Sequence, residues 1–378
     1  MRVLGIMSGT SLDGVDYALC EVRGGWGRAA TPASQRKAGH HTVRLLKLWS
    51  RAFPKNLQHR LHAAAANESS AHELAQLHHD LGRLYAKQAA PLNARAELVG
   101  LHGQTVFHNP DPRAPATLQI GEPAYLAEAL RAPVVSNFRV ADLAAGGQGA
   151  PLATLFHQTV FAQRGQHVCV NNLGGISNVT SLDWRNGRAP KVLAFDTGPA
   201  NVLLDLAMRE LTGGKKTCDR GGAWARRGTV NETLLQRWLA HPFFRAAPPK
   251  STGRELFGEI FWRVERKHLS RLSPFDTLAT LTEFTARSLA LNYQLHLPAP
   301  PDQVVLCGGG AKNPALVRRL TAQLKTRVTT AEDAGWSSSA IEPAAFALLA
   351  FYRWNHWPAN LPATTGARRA VLLGQISQ

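Results

Sequence analysis

Two glycine-bearing turns, about half a chain apart, constrain the fold of this 378-residue sequence more than any other feature. The first turn, residues 7–16, lies between an apolar run at 2–6 and an alternating run at 15–22, which predicts a β-hairpin. The second turn, residues 171–180, also follows an apolar run and leads into an alternating one. Glycine and serine are common in any turn, but two such hairpins predict a chain of two related halves.

The tip of the first hairpin, Ser8-Gly9-Thr10-Ser11, carries hydroxyl groups and open backbone N–H groups. Such donors suit a polyphosphate, because glycine lets phosphate oxygens approach the backbone without a Cβ in the way. Asp13 follows at a position where it could hold a hydrated Mg²⁺. A third glycine turn, within residues 304–314, is predicted to join a strand to a helix that Asn313 caps and Pro314 begins.

Length and composition favour two domains, since 378 residues exceed one average core. The chain is 44% hydrophobic and 18% charged, and no window has 18 uninterrupted apolar residues, so we expect no membrane-spanning helix. We expect no secretion signal, because few residues precede the first turn. Single cysteines without a C-x-x-C pair predict reduced thiols in the cytoplasm; they are Cys20, Cys169, Cys218 and Cys307.

The net charge of +17 would suit nucleic acid, but the lysines and arginines are spread along the chain without a dense basic run. Anionic small substrates account for this charge equally well. We therefore expect no nucleic-acid partner.

Three further segments are candidates for ligand binding. His102-Gly103-Gln104-Thr105 ends a predicted strand, where α/β sheets place ligand-binding residues, although a plain turn is an equal alternative. The glycine-rich stretch 137–151 contains Arg139 and Asp142 and is typical of a functional loop or a hinge between domains. Asp196 lies at a predicted strand-to-helix corner, where it either caps the helix or points into a cleft.

The remaining pattern predicts helices at residues 57–89 as a pair, at 275–295 as a buried helix, at 314–325 and at 340–357. Residues 248–255 indicate a rigid, exposed crossing in which Ser251 or Thr252 caps the following helix. A P-loop of the G-x-x-x-x-G-K-[ST] type is absent from the sequence.

Two glycine hairpins and a late glycine turn are the pattern of the class that includes sugar kinases, hsp70 and actin. Within that class the chain resembles the anhydro-N-acetylmuramic acid kinases, at stretches that occur in the family's order: residues 5–14, 102–105, 142–151, 172–178, 195–199, 249–255 and 307–311. The resemblance implies an α/β protein of two duplicated actin-like ATPase (ribonuclease H-like) domains around a central nucleotide and substrate cleft. We expect residues 1–145 to form the first domain, completed by 358–378, and residues 146–357 to form the second.

The resemblance also implies a reaction, in which ATP, water and 1,6-anhydro-N-acetylmuramic acid give ADP and N-acetylmuramic acid 6-phosphate. Asp196 would be the general base, with an ordinary pKa, and Asp13 would bind Mg²⁺. ATP would be bound by Gly9, Thr10, Ser11, Leu12, Asp13, Gly14, Gly174, Gly175, Gly308, Gly309 and Gly310. The amino sugar would be bound by His102, Gln104, Arg139, Asp142 and Glu342. A cytoplasmic homodimer is expected.

Two other functions fit the same pattern. A conventional sugar kinase of this architecture would use Asp196 to deprotonate a substrate hydroxyl instead of water. A non-enzymatic, nucleotide-gated clamp of the chaperone or filament type would not need the polar segments 102–104 and 250–255.

Overall fold

A computed structural model describes residues 1–9, 12–25 and 41–378, so the predictions for Thr10 and Ser11 lie outside the described residues. The strands are, in chain order, β1 (Arg2–Ser8), β2 (Gly14–Arg23), β3 (Thr42–Ala52), β4 (Leu98–Asn109), β5 (Ala116–Ile120), β6 (Val134–Ser136), β7 (His167–Leu173), β8 (Ile176–Asp183), β9 (Lys191–Pro199), β10 (Gln303–Cys307), β11 (Arg327–Thr330) and β12 (Gln375–Ser377). The α-helices are α1 (Lys55–Ala65), α2 (Ala71–Ala89), α3 (Ala124–Leu130), α4 (Val140–Ala144), α5 (Thr154–Phe161), α6 (Asn201–Leu211), α7 (Glu232–Leu239), α8 (Arg254–Phe257), α9 (Glu259–Leu269), α10 (Pro274–His296), α11 (Pro314–Leu324), α12 (Ser338–Trp354) and α13 (Pro362–Thr365).

The chain forms two compact units. One comprises Met1–Val160 and Ser339–Gln378, and the other Phe161–Ser338. These units divide the chain after residues 160 and 338, whereas we expected boundaries after residues 145 and 357 from the sequence. Helix α12 belongs to the first unit because it packs directly on the sheet of that unit at Gly5 and Gly100.

The first unit is built on a sheet that has seven strands in the described residues, in the order β12-β6-β4-β1-β2-β3, with β5 paired to β4. Strands β1, β2 and β3 pair antiparallel, whereas β1, β4 and β6 run parallel. Our sequence analysis assigned no strand to residues 42–52, which form β3. None of the residues of β3 is fully buried, so its sequence carries only a weak strand pattern.

Each face of this sheet meets a helical layer, and alternation along β1 decides which side chain meets which layer. Leu4 and Ile6 are buried in one hydrophobic core with Leu61 of α1 and Leu81 of α2, as the helical pattern predicted. Gly5 points to the opposite side, where α12 lies.

The second unit repeats this strand order. Its sheet has five strands in the described residues, ordered β11-β10-β7-β8-β9. Strands β7, β8 and β9 pair antiparallel, as β1, β2 and β3 do in the first unit. Strands β7, β10 and β11 run parallel, as β1, β4 and β6 do. This shared topology confirms the prediction of two duplicated α/β domains.

The helices of the second unit follow the sequence pattern except near residue 252. The long helix α10 is buried along most of its length, and Asn313 caps α11 by accepting from the N–H groups of Ala315 and Leu316. Helix α8 is preceded by Gly253 without a side-chain cap, so the prediction that Ser251 or Thr252 caps it was wrong. Among the helices in the described ranges, none has the length and hydropathy needed to cross a membrane.

Candidate active site

The β1–β2 turn of the first unit offers main-chain groups rather than side chains at Gly9 and Leu12. The Gly9 carbonyl accepts hydrogen bonds from Leu12 N (3.2 Å) and from Gln104 Nε2 (3.2 Å). Leu12 adopts φ 57° and buries its side chain in the core. Any contact of Leu12 with a nucleotide must therefore come from its backbone.

Gln104, which contacts this turn, and His102 are both buried residues of β4. Gln104 Nε2 also donates to Thr105 O at 3.2 Å. His102 Nδ1 lies 2.8 Å from Gly103 O, and its Nε2 lies 3.0 Å from Nη2 of Arg139. Burial, reinforced by the Arg139 charge, holds the pKa of His102 well below its usual range. His102 is therefore neutral, donating through Nδ1 and accepting from Arg139 through Nε2.

Asp142 is fully buried and its carboxylate is occupied by groups of its own unit. Oδ2 accepts from Gly149 N (2.8 Å), and Oδ1 accepts from Asn360 Nδ2 (2.7 Å) and Thr365 Oγ1 (2.7 Å). These contacts tie the glycine-rich segment 145–149 to the C-terminal part of the chain. Their geometry is that of a structural carboxylate.

Arg139 connects the first-unit candidates. Besides His102, it donates through Nη1 to Gly149 O at 2.8 Å, and its charge acts on Glu342 of α12. Glu342 keeps solvent-accessible surface. Its pKa is nevertheless raised, mainly because the surrounding protein desolvates the carboxylate; the charge of Arg139 opposes this rise, and the charge of Asp16 adds to it. Arg139 is thus linked to His102 by a hydrogen bond and to Glu342 through its charge.

The residues around Asp13 fit a hydrated Mg²⁺ better than a protein-caged metal. Asp13 is exposed. The pKa of Asp16 is raised mainly by burial; the hydrogen bond from Ser50 opposes this rise, and the charge of Asp13 adds to it. The two carboxylates are therefore neighbours. Within the described residues, no group of three acidic, histidine or cysteine side chains could hold a metal. Mg²⁺ commonly takes one or two carboxylates together with phosphate oxygens and water.

In the second unit, Gly174 and Gly175 form the turn between β7 and β8. A Cβ on Gly174 would come no closer than 3.5 Å to other atoms, and one on Gly175 no closer than 3.9 Å. Neither residue has a positive φ. The fold of the chain therefore does not require glycine at these two positions, in contrast to Gly308 and Gly310.

Gly308 and Gly310 bring the third glycine turn against the end of β7. Gly308 has φ 80°, and a Cβ there would lie 2.9 Å from the carbonyl carbon of Leu173. A Cβ on Gly310 would lie 2.7 Å from the Leu173 side chain, whereas Gly309 is exposed. The two predicted nucleotide-binding turns of this unit are thus adjacent.

Asp196 lies within β9, opposite Asn178 of β8, and the strand continues to Pro199. The residue that precedes α6 is Ala200, so Asp196 does not cap that helix. Its backbone N donates to Lys250 O (3.1 Å), and its Oδ2 accepts from Thr252 N (2.8 Å). The segment 250–252 therefore holds Asp196 by two main-chain hydrogen bonds.

Burial raises the pKa of Asp196 to about 6, which corrects our expectation of an ordinary value. The Thr252 N–H group opposes this rise, the Glu255 charge adds to it and the Lys250 charge opposes it. A carboxylate with this pKa remains mostly ionised at pH 7 and is a stronger base than an exposed aspartate.

Lys250 was not predicted as a site residue, although the matching stretch 249–255 contains it. Its Nζ donates to Phe243 O (3.0 Å) and Phe244 O (3.2 Å) and lies 3.1 Å from His296 Nε2. Burial lowers the pKa of Lys250 to about 8, against the effect of Asp196. Lys250 is thus a mostly charged anchor for the segment that holds Asp196.

One strand order repeated in two units, with a glycine-bearing turn between the first two strands of each, defines the actin-like class of two-domain α/β proteins that includes the sugar kinases. The family model for anhydro-N-acetylmuramic acid kinase matches residues 1–378. The chain therefore belongs to the anhydro-N-acetylmuramic acid kinase family.

The chain is similar to full-length proteins that carry the name of this family. The chain is similar to an anhydro-N-acetylmuramic acid kinase of Picosynechococcus sp., with 44% identity over 100% of this chain and 99% of the relative. A kinase of the same name from Acaryochloris marina is 42% identical, again over 100% and 99%. Among solved structures, a ROK family glucokinase from Streptomyces griseus in complex with glucose and AMPPNP is 15% identical, with a TM-score of 0.39 over 92% of this chain and 99% of that chain.

Proposed function

We propose that this chain converts 1,6-anhydro-N-acetylmuramic acid, water and ATP into N-acetylmuramic acid 6-phosphate and ADP. The observation that carries the proposal is Asp196, a partly buried carboxylate with a pKa of about 6, held through Oδ2 and its backbone N by residues 250–252. The names of the full-length relatives supply the substrate.

Asp196 would act as the base through Oδ1, since Thr252 N already occupies Oδ2. Water attacks the anomeric carbon while its proton passes to the carboxylate, and the bond from this carbon to O6 breaks. The released O6 attacks the γ-phosphorus, and ADP leaves. Removal of one proton thus assists both bond changes. As the water oxygen bonds to the anomeric carbon, the electron pair of the broken carbon–O6 bond passes to O6, which then attacks the phosphorus.

The nucleotide would be held by the three glycine turns. The residues proposed to contact it are Gly9, Thr10, Ser11, Leu12 and Gly14 from the stretch 7–16, Gly174 and Gly175 from the second turn, and Gly308, Gly309 and Gly310 from the third. Support comes from Gly174, Gly175 and Gly309, where the described protein leaves room for a ligand to approach the main chain. Asp13 would hold Mg²⁺, which supplies charge neutralisation at the phosphates.

For the sugar, we propose direct contacts by Arg139 and Glu342. A guanidinium suits the lactyl carboxylate of the substrate, because it can form two parallel hydrogen bonds. The buried residues His102, Gln104 and Asp142 would support this site from within their unit, since their polar groups bind mainly to the protein itself. We also propose that the protein is a cytoplasmic homodimer without nucleic-acid or membrane partners. Light scattering of the purified protein tests whether it is a dimer.

Asp196→Asn tests the proposal. We expect turnover of the anhydro sugar to fall by roughly 10³-fold or more, while ATP still binds. In ¹⁸O-water, the product of the unaltered enzyme should carry label at its anomeric hydroxyl. Unlabelled product would favour a conventional sugar kinase, and unchanged function of Asp196→Asn would favour a nucleotide-gated clamp.

A further inference from the structure

Asn201 is the first residue of α6 and contacts both glycine turns of the second unit. Its side-chain Nδ2 donates to Leu173 O (2.8 Å) and to Gly174 O (2.8 Å), and its backbone N donates to Gly174 O at 3.0 Å. Three hydrogen bonds from one residue therefore end on the last residue of β7 and on the β7–β8 turn.

The same side chain borders the third glycine turn. A Cβ on Gly310 would lie 3.2 Å from Asn201 Oδ1, and one on Gly309 would lie 3.7 Å from Asn201 Nδ2. Asn201 thus fills the space between the turn at 174–175 and the turn at 308–310. A larger residue at Gly310 would displace it.

The start of α6 directs its own N–H groups to this turn as well. Ala200 N (2.9 Å) and Val202 N (3.1 Å) both donate to Gly175 O. The first N–H groups of a helix commonly remain free and bind anions, but here the turn carbonyls accept them. With both carbonyls of the turn engaged, the N–H groups of Gly174 and Gly175 remain without an acceptor in the described residues.

We propose that Asn201 is a positioning residue for the nucleotide: its amide fixes the 174–175 turn beside the 308–310 turn, so that the free N–H groups of Gly174 and Gly175 bind the phosphates of a nucleoside triphosphate. This inference rests on the proposed function, because it assigns these turns to ATP. Nothing in the resemblance or in the sequence pattern assigned a role to Asn201. The glycines supply the donors, and Asn201 supplies their orientation.

The test is the affinity of the full-length protein for the ATP analogue AMPPNP, measured by calorimetry. Asn201→Ala removes both side-chain hydrogen bonds without adding charge, and we expect the dissociation constant to rise roughly 10-fold. The KM for the sugar should change much less. The matched control is Asn231→Ala, which removes the cap of α7, where Asn231 Oδ1 accepts from Leu234 N at 3.0 Å, and should leave AMPPNP affinity unchanged.

A second measurement uses the unaltered protein, so it does not depend on the variant folding. Amide hydrogen exchange at Gly174 and Gly175 should slow when AMPPNP binds. Unchanged exchange at both glycines, or unaltered AMPPNP affinity in Asn201→Ala, would overturn the role of Asn201. Failure of the proposed function is a separate result, since the unaltered protein would then bind no AMPPNP or turn over no anhydro sugar.

Discussion

Gly5 and Gly100 lie directly opposite each other on the parallel strands β1 and β4, and the same helix covers both of them. A Cβ on Gly5 would lie 2.7 Å from the carbonyl carbon of Pro343, and one on Gly100 would lie 2.8 Å from that of Phe346, each nearer still to the attached oxygen. The backbone of α12 therefore rests on the sheet at a pair of glycines. Because Glu342 precedes Pro343 on this helix, the contact also sets the height of Glu342 above the sheet.

Gly5→Ala should therefore destabilise the first unit strongly. The new methyl group meets main-chain atoms of α12, which cannot move aside as a flexible side chain can. We expect a loss of about 3 kcal/mol in the free energy of unfolding, at the upper end for overpacking. Urea denaturation measures it, with Gly25→Ala as the control, because a Cβ on Gly25 would meet nothing within 4 Å. Equal stability of the two variants would contradict the tight contact.

The hairpins, the buried helix α10 and the cap of α11 could be predicted because local signals determine them: alternation, a long apolar face and an Asn-Pro pair. The close approach of α12 to Gly5 could not, because it joins residues more than 300 positions apart. For the same reason we expected the second boundary after residue 357, whereas the compact units divide after residue 338. The close approach of α12 had one sequence signal, a glycine inside a strand.

The site shows the same division between local and distant signals. Asp196 could be named from its stretch, but the loop that holds it is more than 50 residues away, so its raised pKa could not be predicted. Lys250 and Asn201 were missed because their roles consist of contacts with main-chain atoms of other segments. Such contacts leave no pattern in the residues that accept them.

The activity of the enzyme should decrease in acid with a midpoint near pH 6. Asp196, the proposed base, must be ionised to accept a proton from water, and burial raises its pKa to about 6. The value of kcat/KM for the anhydro sugar should therefore be nearly constant above pH 7 and fall about tenfold per pH unit well below 6. A pH profile of initial rates measures this. A midpoint near pH 4 would show that the reacting carboxylate has an ordinary environment.

Asp142→Ala should reduce stability more than it affects sugar affinity. The substitution removes the acceptor of Gly149 N and Thr365 Oγ1, and one of the two acceptors of Asn360 Nδ2, in a buried region, which should cost about 3 kcal/mol. Thermal denaturation measures the loss, and Asp111→Ala, which breaks an ion pair with the exposed Arg113, is the control with little expected change. A large rise in the KM for the sugar at unchanged stability would instead place Asp142 in contact with the substrate.

Lys250→Met should move the acid limb of the pH profile to higher pH. The charge of Lys250 lowers the pKa of Asp196, and the pKa of Lys250 itself, about 8, leaves it mostly protonated where the limb lies. Removing the charge raises the pKa of Asp196, so at pH 6 the variant should lose a larger share of its own plateau activity than the unaltered enzyme. The plateau should fall too, because Nζ no longer anchors the segment that holds Asp196 to Phe243 O and Phe244 O. The control is Lys191→Met, at the exposed start of β9, the strand that contains Asp196; it should shift neither the midpoint nor the plateau. An unmoved midpoint in Lys250→Met would leave Lys250 as a structural anchor without influence on the base.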